Sequence, residues 1–200
     1  MTATKGAKRQ AELLDAAERV LTTRGNANAA LRDFAAEAGV RIGHLQHYFP
    51  TRADLIRAVL DRALRRSLER LSAVIGMDPD GDGNRTLTRA DTERLLEVLL
   101  AEQDDPGCVR LFMEIWAIAA SDEQIAAVLR EFYGKYVGHV AELVACAQPQ
   151  LPESRRTALA ETVMSLIEGA SVVRSDIGVG RSAEGHCEIV RTALALIHGA

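Results

Sequence analysis

The sequence predicts an all-α protein of about nine helices, a three-helix N-terminal group followed by a C-terminal helical bundle. Two observations predict it. Apolar side chains recur at the 3.6-residue helical period along nearly the whole chain, while stretches that alternate apolar and polar residues are almost absent. Helix-starting pairs and helix-ending Gly or Pro residues then divide the periodic stretches into segments of helical length. A chain of 200 residues can bury a core without disulfides or metal, and 48% hydrophobic residues exclude a disordered chain.

The elements follow in order. Leu13, Leu14, Ala17, Val20 and Leu21 form one stripe of a first helix, with Gly25 placed to cap its end. A short helix from Leu31 to Ala38 turns Leu31, Phe34, Ala35 and Ala38 inward, and Gly39-Val40-Arg41 breaks it. Another spans Ile42 to Tyr48, and Pro50 forbids its continuation. Thr51 and Asp54 form a capping box that opens a long helix reaching about Ile75. Residues 77–84 read as a loop. Further helices are predicted over 88–103, 107–119, 122–147, 153–175 and 183–198. Their starts are marked by Thr88 with Asp91, by Pro106-Gly107, by Ser121 with Gln124, and by Pro152-Glu153.

Charge divides the chain. The total is -4, but residues 1–60 hold nine Lys and Arg against six Asp and Glu, a net of +3 that leaves -7 on the remainder. Two short helices joined by a glycine turn, behind a stabilising first helix, match a helix-turn-helix. Ala35 is small where two helices cross, and Gly39 takes the left-handed turn without steric cost. Val40 and Leu45 are apolar where the second helix packs on the first, and Phe49 plugs the core beneath. The outer face then carries Arg41, Gly43, His44, Gln46, His47 and Tyr48. Gln and Arg pair with base edges, Tyr and His reach phosphates, and Gly43 lets the backbone approach, so this face suits a DNA major groove.

Residues 31–40 (LRDFAAEAGV) and 43–55 (GHLQHYFPTRADL) resemble the N-terminal DNA-binding domain of the TetR family, in register across the G-V, G-x-L-x-x-Y-F and F-P-[ST]-[KR]-x-x-L elements over about residues 8–60. The resemblance implies base or phosphate contacts by Arg41, Gly43, His44, Gln46, His47 and Tyr48. It further implies a phosphate contact by Arg52 and a basic arm of Lys5, Lys8 and Arg9. The family often has Thr or Ser where Ala29 and Ala30 stand, so Asn28 is left as the helix cap. A Ser-Lys pair is frequent where Arg41-Ile42 stand, and an aromatic where Gln46 stands, so the operator sequence does not carry over. The implied domains are residues 1–52, binding DNA, and 53–200, binding an effector and dimerising.

In the body, residues 111–119 with Asp122 resemble the effector domains of the betaine-regulator-like subset of that family. Helical spacing places Phe112 with Trp116, and Phe132 or Tyr133 with Tyr136, on shared faces. With Met113 they are candidate linings of an apolar pocket, with Glu114, His139 or Glu168 as its polar groups. Ordinary core packing explains the same pattern, and one Trp is few for a choline-type cage. The last two helices carry long apolar stripes that include Leu159, Val163, Leu166 and Ala170, and Ile189, Ala193 and Leu196. The family dimerises through these helices, which implies a homodimer reading a palindromic duplex operator.

Other signals are weaker. Asp78–Gly83 imitates the first half of an EF-hand loop, but Arg89 stands at the twelfth position where a bidentate Glu is needed. Gly178-Val179-Gly180 follows no strand and is no dinucleotide loop. His44 and His47 share a helix face without a Cys or carboxylate to complete a metal set. Cys108, Cys146 and Cys187 are odd in number and form no CxxC, so neither disulfides nor zinc are expected. No apolar run approaches the ~20 residues of a membrane span, and the first ten residues lack a signal-peptide stretch. The expectation is a cytoplasmic, ligand-responsive transcriptional repressor, released from its operator by a small molecule, without cofactor, metal, membrane or catalytic activity. A thiol-based redox regulator and an all-α enzyme using the body pocket are the alternatives.

Overall fold

The computed structural model of the chain describes residues 5–24, 30–75 and 87–199. Among the described residues it is all-α, with nine helices in the order α1 (Lys5–Arg24), α2 (Leu31–Glu37), α3 (Ile42–Tyr48), α4 (Arg52–Ile75), α5 (Arg89–Gln103), α6 (Pro106–Ala119), α7 (Glu123–Ala147), α8 (Glu153–Val173) and α9 (Ala183–His198). They group into two compact units. Met1–Ala63 and Arg110–Phe132 bound the first, and Leu64–Val109 with Tyr133–Ala200 bound the second.

The first unit is built on α1, whose Leu13, Leu14, Ala17, Val20 and Leu21 are buried as the stripe requires. Phe34 and Ala35 of α2, Leu45 of α3, Phe49, and Leu55, Ile56, Val59 and Leu60 of α4 are buried with them. Leu31, Ala38 and Val40 are only half-buried, because α2 is two turns long and its ends reach solvent. Gly39 has φ +64°, the left-handed turn that a side chain would strain. A buried guanidinium fixes α1 to α4. Arg62 Nε donates to Glu18 Oε1 at 2.9 Å and Nη1 to Asp15 Oδ1 at 2.8 Å.

Caps set the helix starts. The Thr51 amide donates to Asp54 Oδ2 at 3.0 Å while the Asp54 amide donates to Thr51 Oγ1 at 3.1 Å. Thr88 and Asp91 repeat the arrangement. At α2, half of such a box forms without a hydroxyl, the Ala30 amide donating to Asp33 Oδ2 at 2.8 Å. The start of α7 corrects the sequence reading. Asp122, not Ser121, accepts from the amides of Gln124 and Ile125, while the Ser121 hydroxyl donates back to Ile118 O. Gly25, Asn28, the 77–84 loop and its EF-hand-like segment 78–83 lie outside the described residues.

In the second unit α5, α8 and α9 pack on one another. Leu159, Val163, Ile167 and Ala170 of α8 and Val190, Ala193, Leu194 and Ile197 of α9 are buried there. Gln148 holds the end of α9, its side-chain amide donating to Ile197 O at 2.7 Å. The α8–α9 connection folds back on the end of α8, the Val179 amide donating to Val173 O at 2.8 Å. A Cβ at Gly178 would lie 2.1 Å from Val173 O, so only glycine fits.

Candidate functional site

The helix-turn-helix presents the predicted face. Arg41 is extended at the start of α3 (φ -73°, ψ 147°), with its side chain outside. Gly43, His44, Gln46 and His47 are exposed and Tyr48 is half-buried, whereas Leu45 on the opposite face is buried. The 3.6-residue helical period over these seven residues therefore fixes which side chains α3 turns outward. Around Gly43 an added Cβ meets nothing within 4 Å, so no neighbour in the chain requires glycine there. Tyr48 is packed edge-on by both histidines, with centroids 5.6 Å from His44 and 5.3 Å from His47.

The predicted basic contacts come from α1 and from the start of α4. Lys8 is exposed. Arg9 is held by Glu12 at 2.7 Å and donates from Nε to His44 Nε2 at 3.3 Å, so α1 supports the orientation of α3. Lys5 begins α1. Arg52 opens α4, mostly covered, with Nη1 4.0 Å from Asp122 Oδ2. No group of three His, Cys, Asp or Glu able to hold a metal occurs among the described residues.

The body candidates fall into two groups. In the first unit Phe112 stands 6.4 Å from Trp116 and 5.6 Å from Phe132, ring to ring, with Met113 half-buried nearby in sequence. In the second unit Tyr133 donates its hydroxyl to Glu168 Oε2 at 3.4 Å, and Tyr136 is buried. His139 instead sits 3.7 Å from Glu142 on its own helix. The sequence reading missed a polar cluster next to Tyr136, whose hydroxyl hydrogen-bonds Ser67. Ser67 donates to Glu102 Oε2 at 2.8 Å, and Arg70 to Glu102 Oε1 at 2.5 Å. These residues stand 35 and 32 positions apart in the chain. No local spacing could have signalled them.

Burial governs the chemistry of this second group. It pushes the Glu168 carboxyl from 4.5 up to about 7, partly offset by the Tyr133 hydrogen bond. It also raises the Tyr136 hydroxyl. The Cys108 thiol is pushed up to about 12 by burial first and by Asp105, Glu102 and Glu168 next, so it stays protonated and is a poor redox nucleophile. An open groove along α5, lined by Ala90, Glu93, Arg94, Glu97 and Val98, includes none of the predicted contacts.

Of the predicted dimer contacts, Leu159, Val163, Ala170 and Ala193 are already buried within one chain. Leu166, Ile189 and Leu196 keep half-exposed faces. No helix among the described residues is long and apolar enough to cross a membrane.

Known proteins share these features. Residues 13–59 match the model of bacterial regulatory proteins of the tetR family, and residues 88–199 match that of the BetI-type transcriptional repressor C-terminal region. A relative described as an uncharacterised HTH-type transcriptional regulator in the dhlA 5' region of Xanthobacter autotrophicus is 28% identical over 162 residues, covering 80% of this chain and 76% of its own. A TetR-family transcriptional regulator from Rhodococcus sp. superposes with a TM-score of 0.71 at 24% identity, over 96% of this chain and 99% of its own. A transcriptional regulator from Saccharomonospora viridis, solved in complex with choline, has a TM-score of 0.66 at 19% identity, over 92% and 94% of the two chains. With the matched models covering both the helix-turn-helix and more than half of the chain beyond it, this protein belongs to the TetR family of DNA-binding transcriptional regulators, with a BetI-type C-terminal region.

Proposed function

We propose that the protein is a cytoplasmic homodimeric repressor that leaves a palindromic operator when a small molecule binds its body. Residues 1–52 read DNA and residues 53–200 bind the effector and dimerise. One observation carries the reading: α3 turns Arg41, Gly43, His44, Gln46 and His47 outward over a buried Leu45. Arg41 and Gln46 read base edges, and His47 and Tyr48 contact base or phosphate. Lys5, Lys8, Arg9 and Arg52 supply sequence-independent phosphate contacts. The protein acts by binding and not by catalysis.

The effector is taken up by Tyr133, Tyr136 and Glu168, where a small organic cation gains a carboxylate counter-charge and tyrosine hydroxyls. The choline-bound neighbour supports that class. Phe112, Met113, Trp116 and Phe132 are a separate candidate in the first unit. Dimerisation uses α8 and α9, with Leu166, Ile189 and Leu196 facing the partner. Two reading heads then match successive major grooves about 34–36 Å apart. Effector and operator weaken each other's binding by the same factor.

Footprinting on the DNA upstream of the chain's own coding sequence tests this. Protection of two half-sites one helical turn apart, lost on adding an organic cation with choline as the first probe, is expected. Protection that no cation alters removes the proposed effector class. Absence of protection on any fragment removes the operator reading.

A further inference from the structure

Three contacts inside the first unit tie α6, the α6–α7 corner and the first half of α7 to α1 and α4. Arg110 Nη1, in the first turns of α6, donates to Thr22 O of α1 at 3.1 Å. Arg57 of α4 pairs with Glu131 of α7 at 3.2 Å. Arg52 Nη1 lies 4.0 Å from Asp122 Oδ2 at the corner where α6 gives way to α7. The third contact involves the cation assigned above to a DNA phosphate. We propose that Asp122 competes with the DNA backbone for the Arg52 guanidinium, so that the α6–α7 corner tunes the affinity of the reading head.

The two oxygens of Asp122 have separate tasks. Oδ1 accepts from the Gln124 amide at 3.0 Å and from Ile125 at 3.3 Å, starting α7, while Oδ2 faces Arg52. The Thr51–Asp54 box fixes the backbone from which Arg52 extends. Asp54 and Glu131 hold Arg57, and Glu123 pairs with Arg130. A guanidinium beside a carboxylate binds phosphate with less electrostatic gain, because part of its charge is already compensated. A movement of the α6–α7 corner therefore alters phosphate binding without touching α3.

The inference rests on Arg52 being a phosphate contact, and one set of variants separates the two statements. Wild type, Arg52→Ala, Asp122→Asn and the double variant, all full-length, are titrated with a short duplex of arbitrary sequence at low and moderate salt. Asn retains the capping oxygen but not the charge, so α7 keeps its start. Asp122→Ser is the fallback should Asn lower the melting temperature. Arg52→Ala should weaken binding and reduce the salt slope by about 1. Asp122→Asn should tighten binding by roughly 3–10-fold in the wild-type background and by less than about 1.5-fold beside Arg52→Ala. An Arg52→Ala protein with unchanged affinity and slope overturns the phosphate contact and the competition together. Equal tightening by Asp122→Asn in both backgrounds, or none in either, overturns the competition alone.

Discussion

Burying Glu168 costs stability whenever its carboxyl is ionised, and the sign of that cost defines a test. Its native value of about 7 lies above the ordinary 4.5. Below pH 4.5 it is protonated in both folded and unfolded chains and carries no penalty. As pH rises toward 7, the unfolded chain ionises first and stability falls; above 7 the penalty is constant. Glu168→Gln should therefore stabilise the protein at pH 8, by up to about 3 kcal/mol, with the gain vanishing near pH 4, as thermal melts at the two pH values will show. Equal gains at both would assign the effect to packing. Gly43 offers a complementary case in which stability and function part. An added Cβ meets nothing there, so Gly43→Ala should leave the melt unchanged or raise stability by about 0.5–1 kcal/mol while weakening DNA binding. Denaturation and duplex titration of one sample measure both. Glu168 was legible only as one of three candidate polar groups, with Glu114 and His139, for a pocket lined by aromatic side chains. The cluster of Ser67, Arg70 and Glu102 was not, since only tertiary folding brings these three together.

Helix limits were largely readable because they are local chemistry. The Thr51–Asp54 and Thr88–Asp91 boxes form as their spacing requires, and Gly39 takes the positive φ that ends α2. Ser121 misled because two capping residues stand side by side, and the backbone alone decides which one precedes the first helical amide; Asp122 takes the part. Arg62 was invisible to periodicity, since an arginine in the middle of α4 looks like a solvated position. It is buried instead between Asp15 and Glu18 of α1. Removing it leaves two carboxylates facing each other without their cation. Arg62→Ala should cost roughly 2–4 kcal/mol in chemical denaturation, and Arg62→Met distinctly less because the apolar stem is kept. Equal, small losses for both would show that the ion pairs do not fix α1 to α4.

The partition of charge, +3 on the first sixty residues and -7 beyond, follows the partition of work between DNA reading and the body. The proposed homodimer would draw on apolar surface instead. Of the stripes on α8 and α9, part is buried inside the chain, where these helices pack with α5, and periodicity alone does not tell such a face from one left for a partner. Leu166, Ile189 and Leu196 remain half-exposed, so Leu166→Glu with Ile189→Glu should give a monomer in sedimentation velocity that keeps its helical content. A dimer unaffected by both changes would place the interface elsewhere. The most direct measurement is the salt dependence of binding to the DNA upstream of the coding sequence. The apparent log K should fall linearly with log salt concentration. Arg41→Ala and Gln46→Ala should change sequence preference, whereas Arg52→Ala should weaken all sequences alike. Salt-independent binding, or a preference untouched by Arg41→Ala and Gln46→Ala, would contradict the assignment of α3 as the helix that reads DNA.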